Sequence, residues 1–299
     1  MRHLADQGFS ARIVSRRAWI RADIQDKNAA EKAIAGAYGV VNAVSLYRES
    51  GNGTFQALHV KAAEQLASQA RRAGVERLVH ISGIGADKNS RSSYIRSRGE
   101  GELAVQAAFP NATIVRPAVM FGEDDSFLNT VVTLLRRLPV YPLFGRGLTR
   151  LQPIYVDDVA EVIARALNSN APNTCELGGP NIYTYKELLT EIAGRLGKRP
   201  ILVSVPFALW HIMARIPGVP ISPNQVELME ADTVASVELP GFDAFGIHAT
   251  AYRKHARKDP CRGLNTELPA RVIPPLCHCL GPITSAVSKF PTNIQRLQK

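Results

Sequence analysis

TFQALHVKAAEQLASQARRAGVERLVHIS, residues 54–82, predicts a helix running straight into a buried strand. Apolar side chains recur at helical spacing from Phe55 to Ala70, and Gly74 stands where a C-cap closes a helix. Val75 to Ser82 then reads as a short apolar strand. A helix feeding such a strand is part of a βαβ unit, the building block of a parallel sheet covered by helices.

The alternation continues on both sides. Upstream, Phe9 to Ser15 and Ala18 to Ile24 read as strands, Asp26 caps a helix that runs to Gly36, and Tyr38 to Val44 is a third strand. Downstream come a helix around Tyr94 to Phe109 and the strand Ala112 to Pro117, so successive right-handed βαβ crossovers are expected. After Phe121 the pattern is less regular: helices near Phe127 to Leu138, from Asp157, and from Thr184 to Leu196, separated by CELGG and a Pro-rich apolar stretch. The expected organisation is α/β: a doubly wound parallel sheet in residues 1–120, a smaller lobe in 121–252 with elements returning to the sheet, and a tail in 253–299.

A nucleotide-binding sheet of this kind begins with a strand and a Gly-rich turn that holds a pyrophosphate at a helix N-terminus. Neither is visible. MRHLADQG is apolar at helical spacing and stops at Gly8, so it reads as the last two turns of the first helix. In the usual strand order the missing strand lies in mid-sheet and its loss would leave unpaired backbone on both sides. Two expectations follow: a start upstream of Met1 whose frame encodes the strand and its turn, or a substitute strand.

Composition sets the outer bounds. The 299 residues are 45% hydrophobic and 21% charged, which fits a folded chain rather than a fibrous or disordered one. No run reaches the roughly 20 apolar residues of a membrane-spanning helix, and the N-terminus lacks the apolar core of a signal peptide. Four cysteines form no paired CxxC pattern, and Cys277-His278-Cys279 is too compact for a tetrahedral zinc site, so no metal is expected. A reducing, cytoplasmic setting fits. Of the net charge of +10, residues 253–299 hold +7, with six of the 19 prolines. That segment reads as a mostly disordered basic extension, and the body is not basic enough to suggest a nucleic-acid partner.

A set of motifs in order carries a resemblance: RHLADQGFSARIVSR, ADIQD, VVNAVSLY, AGVERLVHISGIGAD, Tyr94-Ile-Arg-Ser-Arg98, AAFPNATIVRPAVMFGEDD, QPIYVDDVAEVIARAL and ELGGPNIYTYKELL. Over Met1 to Tyr252 the chain resembles the atypical short-chain dehydrogenase/reductases, in particular the dinucleotide-binding accessory subunits of respiratory complex I and their bacterial relatives. The resemblance implies a Rossmann-like domain that retains NADP(H), with NAD(H) as the other candidate. It also implies a role in assembly or stability of the complex near its membrane arm, with complex I subunits or the membrane surface as partners and a peripheral place on the inner face of the membrane. The rival reading is an active epimerase, dehydratase or reductase acting on a sugar nucleotide or a quinone-like substrate, because one fold hosts many chemistries.

Specific residues carry the site. Arg16 and Arg17, just after the strand Phe9 to Ser15, stand where an acidic residue would favour NAD; a guanidinium there pairs with a 2′-phosphate, although a solvated turn gives the same pattern. Asp23 resembles the family's adenine-edge contact and is equally readable as a strand-end cap. Asn42, Ala43 and Val44 close a strand at the edge where sheet C-termini form a ligand crevice, and Pro117 closes another. The wider superfamily implies Ser82, Tyr94 and the residue four after it as the catalytic set. That residue is a lysine in the family and Arg98 here, which keeps the charge but cannot shuttle a proton. Weak or absent turnover is expected.

Other residues read as structural. His59 and His80 fall in apolar patterns as core histidines, and Asp157 and Asp158 read as helix caps. VPFALWHIMARIPGVPI, residues 205–221, is the most apolar stretch; it is too short to span a bilayer and suits a packed helix or an interface equally.

Overall fold

The computed structural model describes residues 1–15, 20–122, 125–216, 221–251 and 283–289. The chain enters through α1 (Arg2–Asp6) and β1 (Phe9–Ser15), then β2 (Ile20–Arg21), α2 (Lys27–Ile34) and β3 (Gly39–Ala43). A π-helical segment (Gln56–Ala62) runs into α3 (Ala63–Arg72), followed by β4 (Arg77–Ile81), α4 (Ser93–Ala108) and β5 (Thr113–Pro117). Next come β6 (Met120–Phe121), α5 (Ser126–Arg137), β7 (Val140–Phe144), β8 (Arg150–Leu151), β9 (Ile154–Tyr155), α6 (Val156–Asn168) and β10 (Thr174–Leu177). The last elements are β11 (Tyr183–Thr184), α7 (Tyr185–Arg195), β12 (Ile201–Val205), α8 (Phe207–Met213), α9 (Pro223–Glu230), a short 3₁₀ turn (Phe242–Phe245) and β13 (Ile283–Lys289).

Local chemistry accounts for the helix boundaries. The Asp26 carboxylate accepts from the backbone N–H groups of Asn28 and Ala29 and starts α2. Ser92 does the same for α4 through Ile95 N–H. Gly36 and Gly74 adopt φ of 67° and 72°, the left-handed conformation that ends a helix without a Cβ clash. The second strand is shorter than its sequence suggests. Among the described residues Ile20 and Arg21 pair with Val14 and Ser15, and the strand ends there because Asp23 accepts from Gln25 N–H and turns the chain toward α2.

The main sheet has the order β10-β5-β4-β3-β13-β1-β2. All its pairings are parallel except those of β13, which runs antiparallel to β1 on one side and β3 on the other. The mid-sheet slot that the sequence left open is thus filled by a substitute strand from the basic tail. ITSAVSK is rich in β-branched residues, and β1 and β3 present rows of backbone donors and acceptors that would otherwise lack partners. The tail's lack of sustained periodicity concealed this strand, whose partners β1 and β3 lie far away in the chain.

One face of the sheet packs on α6, with Val41, Val79, Val115, Val162 and Leu167 buried together. The other packs on α2, α3 and α4 through Ile34, Val40, Leu66, Leu78 and Val105. A third apolar cluster around Leu135, Leu143, Leu151, Tyr185 and Leu189 joins the later elements, which carry two-stranded pairings β7–β12, β8–β11 and β6–β9. Asp157 and Asp158 lie in the first turn of α6 without capping it. Asp157 instead pairs with Arg2 and His3, and Asp158 accepts from Thr250 N–H and Oγ1, so both carboxylates serve as tertiary ties.

Candidate functional site

The carboxyl ends of β3, β4 and β5 meet the first two turns of α4, and there the chain concentrates its buried polar groups. α4 is seated deeply because it lacks side chains at two contacts. A Cβ on Gly101 would strike the carbonyl of His59, and one on Gly99 would strike the backbone at Asp87 and Lys88. The π-helical turn facing Gly101 points His59 inward.

His59 Nε2 accepts from Leu46 N–H at 3.0 Å, so its Nδ1 carries the proton and donates to Ser97 Oγ at 3.0 Å; Ser97 Oγ in turn donates to the Tyr94 carbonyl at 2.8 Å. On the next strand the Asn42 amide donates to His80 Nδ1 at 3.1 Å while its carbonyl oxygen accepts from Val44 N–H. Burial, reinforced by the Arg98 charge, pushes the His59 pKa down to about 3 and that of His80 to about 4. Both imidazoles are neutral at physiological pH and belong to the framework of the site, as core histidines do.

Tyr94 is 4% exposed. Its ring stacks on Tyr47 at 5.6 Å and meets the edges of Phe55 and His59. Its hydroxyl is engaged by Arg98 and Tyr47, and burial raises its pKa well above the ordinary phenol value, with the Arg98 charge offsetting only part of that rise. The Arg98 guanidinium lies 5.1 Å from the Tyr94 ring centroid, and its Nη2 donates to Ser45 Oγ at 2.6 Å. It reaches this position over Gly83: a Cβ there would stand 3.2 Å from Arg98 Nη1.

Two buried polar atoms in this region, Ser82 Oγ and Arg98 Nε, have no hydrogen-bond partner among the described residues. Orphaned buried groups of this kind ask for a ligand. A hydroxyl and a guanidinium N–H suit sugar hydroxyls, so the nicotinamide-ribose end of a dinucleotide fits. The pyrophosphate end has no cradle among the described residues. β13 brings its first residue, Ile283, opposite Ala43, and its reversed direction removes the strand-to-helix turn that a parallel strand would open at that edge.

The remaining sequence-derived residues divide as follows. Ala43 ends β3, Val44 is buried, and the Asn42 side chain is engaged by His80 and Val44. The Pro117 carbonyl accepts from Ile84 N–H at 3.2 Å, tying β5 to the loop after Ser82. Asp23 makes the strand-end turn already described. Arg16 and Arg17 lie outside the described residues, as does Cys277-His278-Cys279. No group of three or more potential metal ligands occurs among the described residues.

Sequence reasoning missed Ser45 and Tyr47, which sit in the loop after β3 and meet Arg98 and Tyr94 only through the fold. It also missed a buried ion network. Arg116 donates from Nε and Nη2 to both oxygens of Glu102 and from Nη1 to Glu176 at 3.2 Å; Glu176 further accepts from Ser236 N–H. This network fixes α4, one turn past Arg98, to the ends of β5 and β10. An arginine one residue before the site proline was the available signal.

The profile of the NAD(P)H-binding family matches residues 11–170. The chain is 34% identical over 217 residues to an Arabidopsis thaliana protein, NADH dehydrogenase [ubiquinone] 1 alpha subcomplex subunit 9, mitochondrial, covering 71% of this chain and 53% of that one. Its rat counterpart is 33% identical over 236 residues, covering 76% of this chain and 62% of the relative. The chain thus spans less than two thirds of either relative. In fold it is similar to dTDP-4-dehydrorhamnose reductase from Bacillus anthracis in complex with NADP, with a TM-score of 0.54 at 16% identity over 70% of this chain and 85% of that structure.

Proposed function

Because the chain belongs to the NAD(P)H-binding family, we propose that it is a nucleotide-retaining accessory or assembly protein of the complex I type, with little or no turnover. The observation that carries this reading is the state of Tyr94: its hydroxyl is buried, held by Arg98 and Tyr47, and raised in pKa. A catalytic tyrosine must exchange its proton near neutral pH with a substrate oxygen it can reach. Here the guanidinium that replaces a lysine ammonium occupies the phenol instead.

In this reading Arg98 Nε and Ser82 Oγ hold ribose hydroxyls, the backbone of Ala43 to Ser45 lines the cofactor, and Arg16 or Arg17 contacts a 2′-phosphate and favours NADPH over NADH. A bound NAD(P)H supplies a hydride; the residues around Tyr94 bind and shield it rather than deliver a proton alongside it. The similarity to mitochondrial NADH dehydrogenase subunits supports association with a membrane-bound respiratory complex, and no helix among the described residues is long and apolar enough to cross a membrane.

The test is titration of the full chain with NADPH and NADH by nucleotide fluorescence, beside co-purification with solubilised complex I. Preferential NADPH binding that is lost when Arg16 and Arg17 are replaced by alanine, with the nucleotide staying reduced, is the expected result. Rapid oxidation dependent on a sugar nucleotide or a quinone, without association with the complex, would install the enzyme reading. Absence of nucleotide binding would overturn the retention reading.

A further inference from the structure

The outer face of the β7–β12 ribbon and the helix that follows it combine two properties. The first is exposed apolar surface. β7 and β12 pair in parallel with Val140 opposite Ile201 and Pro142 opposite Val203, so these residues point to one side, while Tyr141 and Leu143 point inward and are buried. Ile201 is 65% exposed, and Val140 and Val203 are also exposed. α8 leaves β12 through Pro206 and is anchored by Trp210, whose indole N–H donates to the Leu143 carbonyl. That anchoring leaves Leu209 and Ile212 (59% exposed) of α8 facing outward, and Ile216 just beyond the helix exposed as well.

The second property is charge. Residues 131–150 and 195–216, which contain these elements, each carry four Lys/Arg and no Asp or Glu. Of the carboxylates on neighbouring segments, Glu191 pairs with Arg195, Glu230 with His211 and Asp232 with Arg150, while Glu227 on α9 has one buried carboxylate oxygen without a partner among the described residues. Arg137, Lys198, Arg199 and Arg215 have no carboxylate partner among the described residues, and the bond from Ile201 N–H to the Pro139 carbonyl brings Arg137 and Lys198–Arg199 to the same end of the ribbon. Residues 1–252 net +3, so with +8 in these two segments the rest of the body nets −5, and the positive charge of the body is concentrated on this face.

We propose that this face docks on an anionic phospholipid bilayer. Exposed aliphatic side chains bordered by unpaired cations match a membrane interface, where apolar groups enter the headgroup boundary and Lys/Arg meet lipid phosphates. A protein partner would need carboxylates placed against each cation, whereas a lipid surface supplies anions everywhere. The docking is shallow. Among the described residues β12 has only β7 as a ladder partner, and its free backbone edge could not lie in hydrocarbon. The inference deepens the peripheral-membrane part of the proposed function and rests on that reading for its setting, though not for its geometry.

The test is co-sedimentation of the full chain with vesicles of phosphatidylcholine alone and of equimolar phosphatidylcholine and phosphatidylglycerol. Binding to the mixed vesicles, weakening with salt, is expected. Replacing Arg137, Lys198 and Arg199 by glutamine should lower the partition coefficient about 100-fold, from roughly fivefold per basic residue. Leu209→Ser with Ile212→Ser should lower it at least about tenfold. All of these side chains are exposed, and unchanged thermal unfolding of the variants verifies their fold. Equal binding to both vesicles, no binding, or binding undiminished in both variants would overturn the proposal, the last by assigning the attraction to the basic tail. A dimer seen by light scattering and abolished by the serine variant would replace the bilayer with a second copy of the chain. Nucleotide titration of the same variants, which leave the Tyr94 region untouched, separates failure here from failure of the proposed function.

Discussion

Arg98 and Tyr94, one helical turn apart on α4, are partners: the guanidinium lies 5.1 Å from the ring centroid and engages the phenol hydroxyl, while its Nη2 holds Ser45 in the loop after β3. In the proposed reading this pair turns what would be a proton-donor position into a closed contact.

Reopening that contact should not by itself create an enzyme. In Arg98→Lys the shorter ammonium loses the hold on Ser45 and weakens the stacking, yet nothing else in the pocket changes toward a transition state. The expected outcome is nucleotide retention within about tenfold of the original and no robust oxidation in a fluorescence decay assay. General acid–base assistance is worth about 10² to 10⁴ in rate, so a gain of that size in the variant would show that only the lysine was missing.

The buried histidines make the fold acid-sensitive. Their folded pKa values, about 3 and about 4, lie below the ordinary 6.5. Between those limits the unfolded chain binds protons that the folded chain refuses, so stability falls as pH drops below about 6.5, by up to about 1.4 kcal/mol per pH unit for each histidine. Urea unfolding between neutrality and the carboxylate range should show this slope, and His59→Gln should remove about half of it. An unchanged slope in the variant would mean that His59 titrates normally.

The ion network at Arg116 should be costly to break. Arg116→Met leaves Glu102 and Glu176, which are 5% and 7% exposed, as uncompensated buried carboxylates. Removing one partner of a buried ion pair typically costs about 3–5 kcal/mol. The variant should unfold at lower urea concentration and recover part of the loss as pH is lowered and the carboxylates protonate.

Deleting residues 282–299 should leave β1 and β3 with unpaired edges in mid-sheet. Hydrogen exchange at Ile13 and Val41, which flank Ser285 in the intact sheet, should accelerate, and the truncated protein should associate through the open edges. Unaltered exchange at both positions would show that β13 contributes nothing to the sheet's stability.

Gly101→Ala should separate α4 from the π-helical turn. The added methyl meets the His59 carbonyl, a backbone atom that cannot rotate away. Loss of stability on the order of 1–3 kcal/mol is expected, together with weaker nucleotide binding, because Tyr94 and Arg98 move with the helix.

The sequence alone determined the parallel α/β class, because buried strands and covering helices each impose a period and end at recognisable caps: Asp26 and Gly74 mark boundaries through purely local bonds. The spacing of Tyr94 and Arg98 also put them on one face of a helix, whereas their grouping with Ser82 was implied by the family resemblance. Which atoms those side chains touch was a tertiary matter. Ser45 and Tyr47 reach Arg98 and Tyr94 from a loop some fifty residues away, and Arg116 meets Glu176 across 60 positions. The mid-sheet strand was the least legible feature. A strand paired on both sides draws its partners from β1 and β3, so the information that makes residues 283–289 a strand lies in the edges they join, nearly the whole chain away.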